Sequence, residues 1–223
     1  MKLVLFDIDN TIFGYKAIKF HPKIHIEAFK YCLKAVFNID VKIEDIKPFS
    51  GKIDNQIMRE LLISKGLKEN IIKKKIKKAV SCMASHYKKN YKKEKMYVHR
   101  GIKQILDILS KKKDIVLGVI TGNISQIGTI KLKRFNLYNY FKVFGFGDKA
   151  KDRNELIKKI TKKYNKVFVI GDTIHDVNSG KYINASIIAV ATGPYSAKGL
   201  SKADHVFKDF KNYKKLLNII KNG

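Results

Sequence analysis

Two rhythms of apolar residues run along this chain, and the change from one to the other divides it. At the amino terminus Lys2-Leu3-Val4-Leu5-Phe6 is a short, mostly apolar run, and Val167-Phe168-Val169-Ile170 is another. Runs of this length bounded by turn residues read as buried strands of a parallel sheet. From about residue 22 to 95 helical spacing takes over. Stretches 25–37, 55–65 and 68–92 carry apolar residues at that spacing, and nothing between them alternates as a strand would.

From about residue 99 the chain alternates. The pattern predicts helix 100–110, strand 115–120, helix 125–135, strand 141–144, helix 152–163, strand 167–170, helix 175–182 and strand 186–190. A short strand 205–207 and a final helix follow. Such alternation means right-handed βαβ units. The fold class is therefore α/β: a Rossmann-like parallel sheet with helices on both faces, plus an inserted all-helical cap domain. Residues 1–13 and 96–223 are assigned to the core and 14–95 to the cap, which emerges above the strand ends.

Polar residues of distinct kinds close three of the predicted strands. The first ends in Asp7-Ile-Asp9-Asn-Thr11, the second in Thr121-Gly122-Asn123, and another in Gly171-Asp172 with Asp176 four residues on. The carboxyl ends of strands are where open α/β sheets bind ligands. A helix follows the last two, so backbone N–H groups point into the same crevice and suit an anion. Oxygen ligands without a His or Cys cluster suit a hard cation such as Mg²⁺. Carboxylates, Mg²⁺ and helix N-termini together describe a phosphoryl-transfer site. One Asp can be its covalent nucleophile and a second its acid–base group. Each motif alone could be a turn or a helix cap. Their weight comes from occurring together, in this order, at strand ends.

Composition narrows the picture. The 223 residues suffice for a sizeable core, and 45% of them are apolar, which argues against disorder. No apolar stretch is long enough for a bilayer, and Asp7 and Asp9 interrupt what would be a signal sequence, so no membrane partner is expected. Cys32 and Cys82 lack metal-ligand spacing and read as free thiols of a reducing, cytoplasmic setting. The net charge of +28 permits nucleic-acid binding, but Arg occurs only at positions 59, 100, 134 and 153. Bidentate recognition of phosphate or guanine favours Arg, so the charge reads as a solvated Lys surface without specific nucleic-acid binding.

The ordered motifs resemble those of the haloacid dehalogenase superfamily, and the likeness extends over essentially the whole chain. Residues 145–156 and 190–196 are similar to a branch near the phosphoglycolate phosphatases, whose helical cap the inserted block resembles. The resemblance implies Asp7 as nucleophile, Asp9 as general acid/base, and Thr121 with Gly122 as phosphate-binding groups. It implies a Mg²⁺ site of Asp7, Asp9 and Asp172, with Asp176 a ligand or a partner behind them. Gly51-Lys-Ile-Asp54 resembles the substrate-facing loop of the cap, making Lys52 and Asp54 substrate contacts. Asn10 stands where Gly is commoner and Ile53 where Thr is usual. The third motif lacks its Pro, and its cation is assigned to Arg153, with Lys149 the second choice. His175, between Asp172 and Asp176, reads as a cap or lining residue. The implied activity is Mg²⁺-dependent hydrolysis of a small phosphorylated metabolite through an aspartyl-phosphate, by a monomer or dimer. A phosphosugar mutase is the enzymatic alternative, and a basic nucleic-acid-associated protein is the alternative from another class.

Overall fold

A computed structural model of the chain describes residues 1–46 and 51–223. Strand β1 (Lys2–Phe6) leads through the first loop into a short strand β2 (Phe13–Tyr15). Four helices follow: α1 (Lys23–Phe37), α2 (Ile43–Ile46), α3 (Asp54–Ser64) and α4 (Glu69–Asn90). Strand β3 (Met96–Val98) then returns antiparallel to β2, with Met96 opposite Tyr15. Beyond it come α5 (Ile102–Leu109), β4 (Ile115–Ile120), α6 (Ser125–Arg134), β5 (Val143–Gly145), α7 (Arg153–Thr161) and β6 (Lys166–Gly171). The chain closes with α8 (Ile174–Tyr182), β7 (Ser186–Val190), β8 (His205–Phe207) and α9 (Tyr213–Asn222).

Six strands form one parallel sheet in the order β5-β4-β1-β6-β7-β8. Alternation along β1 sends its side chains to opposite faces. Val4 and Phe6 join a core completed by Ile105 and Leu106 of α5 and Ile220 of α9. Leu3 and Leu5 join another completed by Leu156 and Ile157 of α7. The chain runs outward from β1 to β4 and β5, then crosses back to β6 on the other side of β1. That reversal is a topological switch point, and a crevice opens there above the carboxyl ends of β4, β1 and β6.

The helices between β2 and β3 bury an apolar core of their own, including Ala28, Leu33, Met58, Leu62 and Met83. Ile124 and Ile127, at the start of α6, complete it, so this block rests on the rim of the crevice. Helix α1 begins without a side-chain cap of its own. The buried Glu94 supplies one from across the ribbon: its Oε2 accepts from the N–H groups of Ile24 and His25 at 2.9 and 3.3 Å. A carboxylate there meets both the orphan donors and the positive end of the helix. The three-residue ribbon strands and the four-residue α2 were not expected from the sequence, being too short for periodicity to register. Among the described residues no helix is long and apolar enough to cross a membrane.

Candidate active site

The ends of β1 and β6 and the first turn of α8 bring three acids together. Asp7 follows β1 and its N–H donates to the Ile170 carbonyl at 2.9 Å, while Asp172 follows β6. Asp176 sits one turn into α8 and is turned back over the strand end by a capping box. Its Oδ2 accepts from the Thr173 N–H at 3.0 Å, and its own N–H donates to the Thr173 hydroxyl at 3.2 Å. One carboxylate oxygen from each of Asp7, Asp172 and Asp176 lies within 4.8 Å of the others, and all three residues are buried. Burial first, and then the neighbouring acids, push Asp7 and Asp172 well above the usual carboxylate range.

Asp172 accepts a hydrogen bond from the Thr11 hydroxyl at 2.9 Å through Oδ1, while its buried Oδ2 has no hydrogen-bond partner among the described residues. A Cβ at position 193 would collide with this carboxylate, so Gly193 lets the backbone close that side. An all-oxygen cluster with one orphaned oxygen has the donor chemistry of a hard-cation site. Asp176 takes the first of the two places expected of it, as a member of the cluster, and the side chain of Asp9 lies outside it.

Asp9 is held elsewhere. Lys131 Nζ lies 2.7 and 2.9 Å from its two oxygens, Asn123 Nδ2 donates to Oδ2 at 2.8 Å, and the Tyr15 hydroxyl donates to Oδ1. Burial alone would raise this carboxyl, but the Lys131 ammonium, with His25 behind it, holds it below the ordinary value. Lys131 is fully buried. Its ammonium sits 5.7 and 6.0 Å from the ring centres of Tyr15 and Tyr87, and 3.4 Å from His25 Nδ1. His25 Nε2 in turn lies 3.1 Å from Asp54 Oδ2. Sequence reasoning missed Lys131, Tyr15 and His25, and found Asn123 only as the last residue of a strand-end motif without a role of its own. A signal for Lys131 existed: with Ile124, Ile127, Gly128 and Leu132 it lies on the buried stripe of α6, where a lysine is out of place.

The two candidate third-motif cations are placed differently. Arg153 opens α7, is buried, and its Nη2 contacts Asp7 Oδ1 at 3.2 Å and also Asp176 Oδ1. Lys149 has a side chain 58% exposed, lies 3.4 Å from Asp148, and does not line the crevice. The expectation of Lys149 at the phosphate is therefore not met, because the turn before α7 points it into solvent.

Loop 51–54 docks onto β4. The Asp54 N–H donates to the Gly122 carbonyl at 2.9 Å, and a Cβ on Gly122 would collide with the Lys52 carbonyl. Gly51 has φ +91° and packs on the His175 ring, so both its conformation and its contact require glycine. Asp54 Oδ2 accepts from the Ile124 N–H at 2.9 Å, which together with His25 commits this carboxylate to holding the loop down. Lys52 Nζ lies 2.6 Å from Glu60. Beneath the loop is a cavity of about 150 Å³. Asp7, Asp9, Thr121, Gly122, Arg153 and Asp172 line its floor, and Lys52 and Asp54 its opposite side. Thr121 presents an oxygen that accepts from Asn123 Nδ2 at 2.9 Å, so one amide bridges Thr121 and Asp9.

The same architecture occurs in solved structures. A hydrolase from Pseudomonas syringae superposes with a TM-score of 0.73 at 19% identity, covering 99% of each chain. A predicted phosphatase from Clostridium acetobutylicum gives 0.68 at 22% identity, covering 97% of this chain and 98% of its own. A predicted phosphoglycolate phosphatase from Haemophilus somnus 129pt gives 0.70 at 16%, covering 96% and 97%. Among curated proteins none is similar in sequence to this chain. The family model of the haloacid dehalogenase-like hydrolases matches residues 4–190, which include the three acids, Lys131, Arg153 and the whole helical block. The chain belongs to the haloacid dehalogenase-like hydrolase family.

Proposed function

We propose that this chain is a Mg²⁺-dependent phosphatase that hydrolyses a small phosphorylated metabolite through an aspartyl-phosphate on Asp7. The observation that carries the reading is the convergence of Asp7, Asp172 and Asp176 on one point, with Arg153 beside Asp7. These three carboxylates would hold the ion. Bound there, Mg²⁺ would offset their mutual repulsion and the charge of the phosphoryl group.

The chain's own residues then divide the work. A carboxylate oxygen of Asp7 attacks phosphorus, forming an O–P bond as the bond to the leaving alcohol breaks. Arg153 and Thr121 hold the phosphoryl oxygens. Asp9 passes a proton to the leaving oxygen and later takes one from the water that cleaves the aspartyl-phosphate. Lys131 favours the ionised form of Asp9, which the second half-reaction needs. The helical block, residues 14–95, acts as a cap that keeps bulk water from Asp7.

The test is a panel of phosphomonoesters assayed with Mg²⁺ for both free phosphate and isomerised product. Phosphate release that chelation abolishes is the expected result. Isomer formation in place of release would make the chain a phosphosugar mutase, and silence towards every ester would remove the phosphatase reading.

A further inference from the structure

Apart from His21, His25, Lys52 and Asp54, the wall of the cavity facing Asp7 is apolar. Ile26 and Phe29 project from successive turns of α1, Ile43 comes from α2 and Ile57 from α3, and Phe20 and Pro22 close the entrance to α1. Phe20 is held there against its backbone preference. Its φ is +65°, an uncommon conformation for a bulky residue, and its carbonyl accepts from Asn10 Nδ2 at 3.1 Å. Asn10 belongs to the loop that carries Asp7 and itself has φ +59°. Two residues in the left-handed region joined by one hydrogen bond fix an aromatic beside the nucleophile loop. Strain of this kind persists where the surroundings enforce it, and it clusters at ligand clamps.

The charged groups of the same wall are largely offset. Lys52 is 2.6 Å from Glu60 Oε2, whose other oxygen accepts from Gln56 at 2.8 Å. His25 is set between Lys131 and Asp54. Arg153 faces Asp7 and Asp176 on the floor. A second anionic group on the substrate would therefore lose its hydration against carbon, while among the described residues Lys52 and Arg153 already face carboxylates.

Resting on the phosphatase reading above, we infer that the substrate is a monophosphate of an alcohol with an uncharged, apolar carbon skeleton. A compact branched or cyclic chain would fill the space beneath Phe20 and Ile26. Sugar phosphates and phosphoglycolate, which bring hydroxyls or a carboxylate to this wall, are disfavoured.

The experiment compares kcat/KM with Mg²⁺ for 3-methylbutyl phosphate, phosphoglycolate and glucose 6-phosphate, which all leave as alkoxides, with acetyl phosphate as the small generic substrate. The expected result is a preference of about tenfold or more for 3-methylbutyl phosphate, the scale on which apolar pockets discriminate. Ile26→Lys should reduce that preference by lowering the rate with the branched ester. Turnover of acetyl phosphate together with equal or better use of phosphoglycolate or glucose 6-phosphate overturns the apolar class while leaving the phosphatase reading standing. Silence towards all four phosphates overturns both.

Discussion

The Nζ of Lys131 lies 2.7 Å from Asp9 Oδ1 and 2.9 Å from Oδ2, and the lysine side chain has no exposure to solvent. The pair joins helix α6 to the loop after β1, and through His25 it reaches the helical block. Its position ties the acid–base group of the proposed reaction to the element on which that block rests.

Removing this cation should therefore cost both stability and rate. In Lys131→Met the methionine fills the volume, while Asp9 keeps Asn123 and Tyr15 as partners and remains 20% exposed. We expect a loss of about 1–3 kcal/mol, below that for breaking a fully buried pair, and a fall in kcat of about 10²-fold. Asp9 titrates below its unfolded value, so the pair's stabilisation is present above the unfolded carboxyl pKa of about 4 and fades as pH falls through the lower, folded one. The gap in melting temperature between wild type and variant should narrow towards acid pH. A gap that stays constant would dissociate the stabilising effect from Asp9 ionisation.

Asp7→Asn should abolish turnover, leaving less than about a thousandth of the wild-type rate, while the fold persists. Trapping of labelled phosphate on the wild type but not on the variant is the direct measurement. Retained hydrolysis in the variant would rule out a covalent role for Asp7.

The acid cluster predicts an effect of opposite sign on stability. Asp172 and Asp7 are both raised by burial and then by the neighbouring Asp176, so in the metal-free protein their ionisation weakens the fold as pH rises through the raised values. Asp172→Asn should raise the melting temperature of metal-free protein, by about 2–4 °C per kcal/mol of repulsion relieved. It should also erase the stabilisation produced by Mg²⁺. In wild type that stabilisation should shrink on acidification, because protons compete for the same oxygens. Calorimetry with and without chelator between pH 5 and 8 measures both; a Mg²⁺ effect that survives in the variant would place the ion elsewhere.

Arg153→Ala should lower kcat/KM about 10²–10³-fold for every ester, and Arg153→Lys should restore part of it. Lys149→Ala should stay near wild type, since its ammonium faces Asp148 and solvent. The reverse ranking would exchange the roles assigned to the two cations.

Asp54 separates substrate contact from loop docking. With Asp54 Oδ2 engaged by His25 and the Ile124 N–H, Asp54→Ala should destabilise by about 1–3 kcal/mol and slow all substrates alike. A change in substrate ranking at unchanged stability would instead mark Asp54 as a substrate contact.

Much of this arrangement was legible because its parts obey short-range rules. Strands β4, β7 and β8 fall where apolar runs between turn residues predict them. Asp7, Thr121 and Asp172 follow strands, and strand ends in such a sheet converge. What escaped depends on long-range contacts or on a turn of helix. That Asp176 stands among the acids rather than behind them comes from the capping box, which bends the first turn of α8 back over β6. Lys131 was hidden by composition, since one misplaced lysine stands out poorly among so many on the surface. His25 reads as an ordinary core histidine until the fold sets α1 against α6.

The ribbon of β2 and β3 carries one more consequence. Tyr15 and Met96 are antiparallel partners, so their Cα atoms are about 5 Å apart, and the roughly 80 residues between them form, in topological terms, the loop of a hairpin. The entropy of closing a loop grows only with the logarithm of its length. Helices can therefore be lengthened, shortened or exchanged between these two residues at little cost to the register of the main sheet. On the phosphatase reading proposed above, substrate preference would drift in this part of the chain while the acids at the strand ends stay where the sheet puts them.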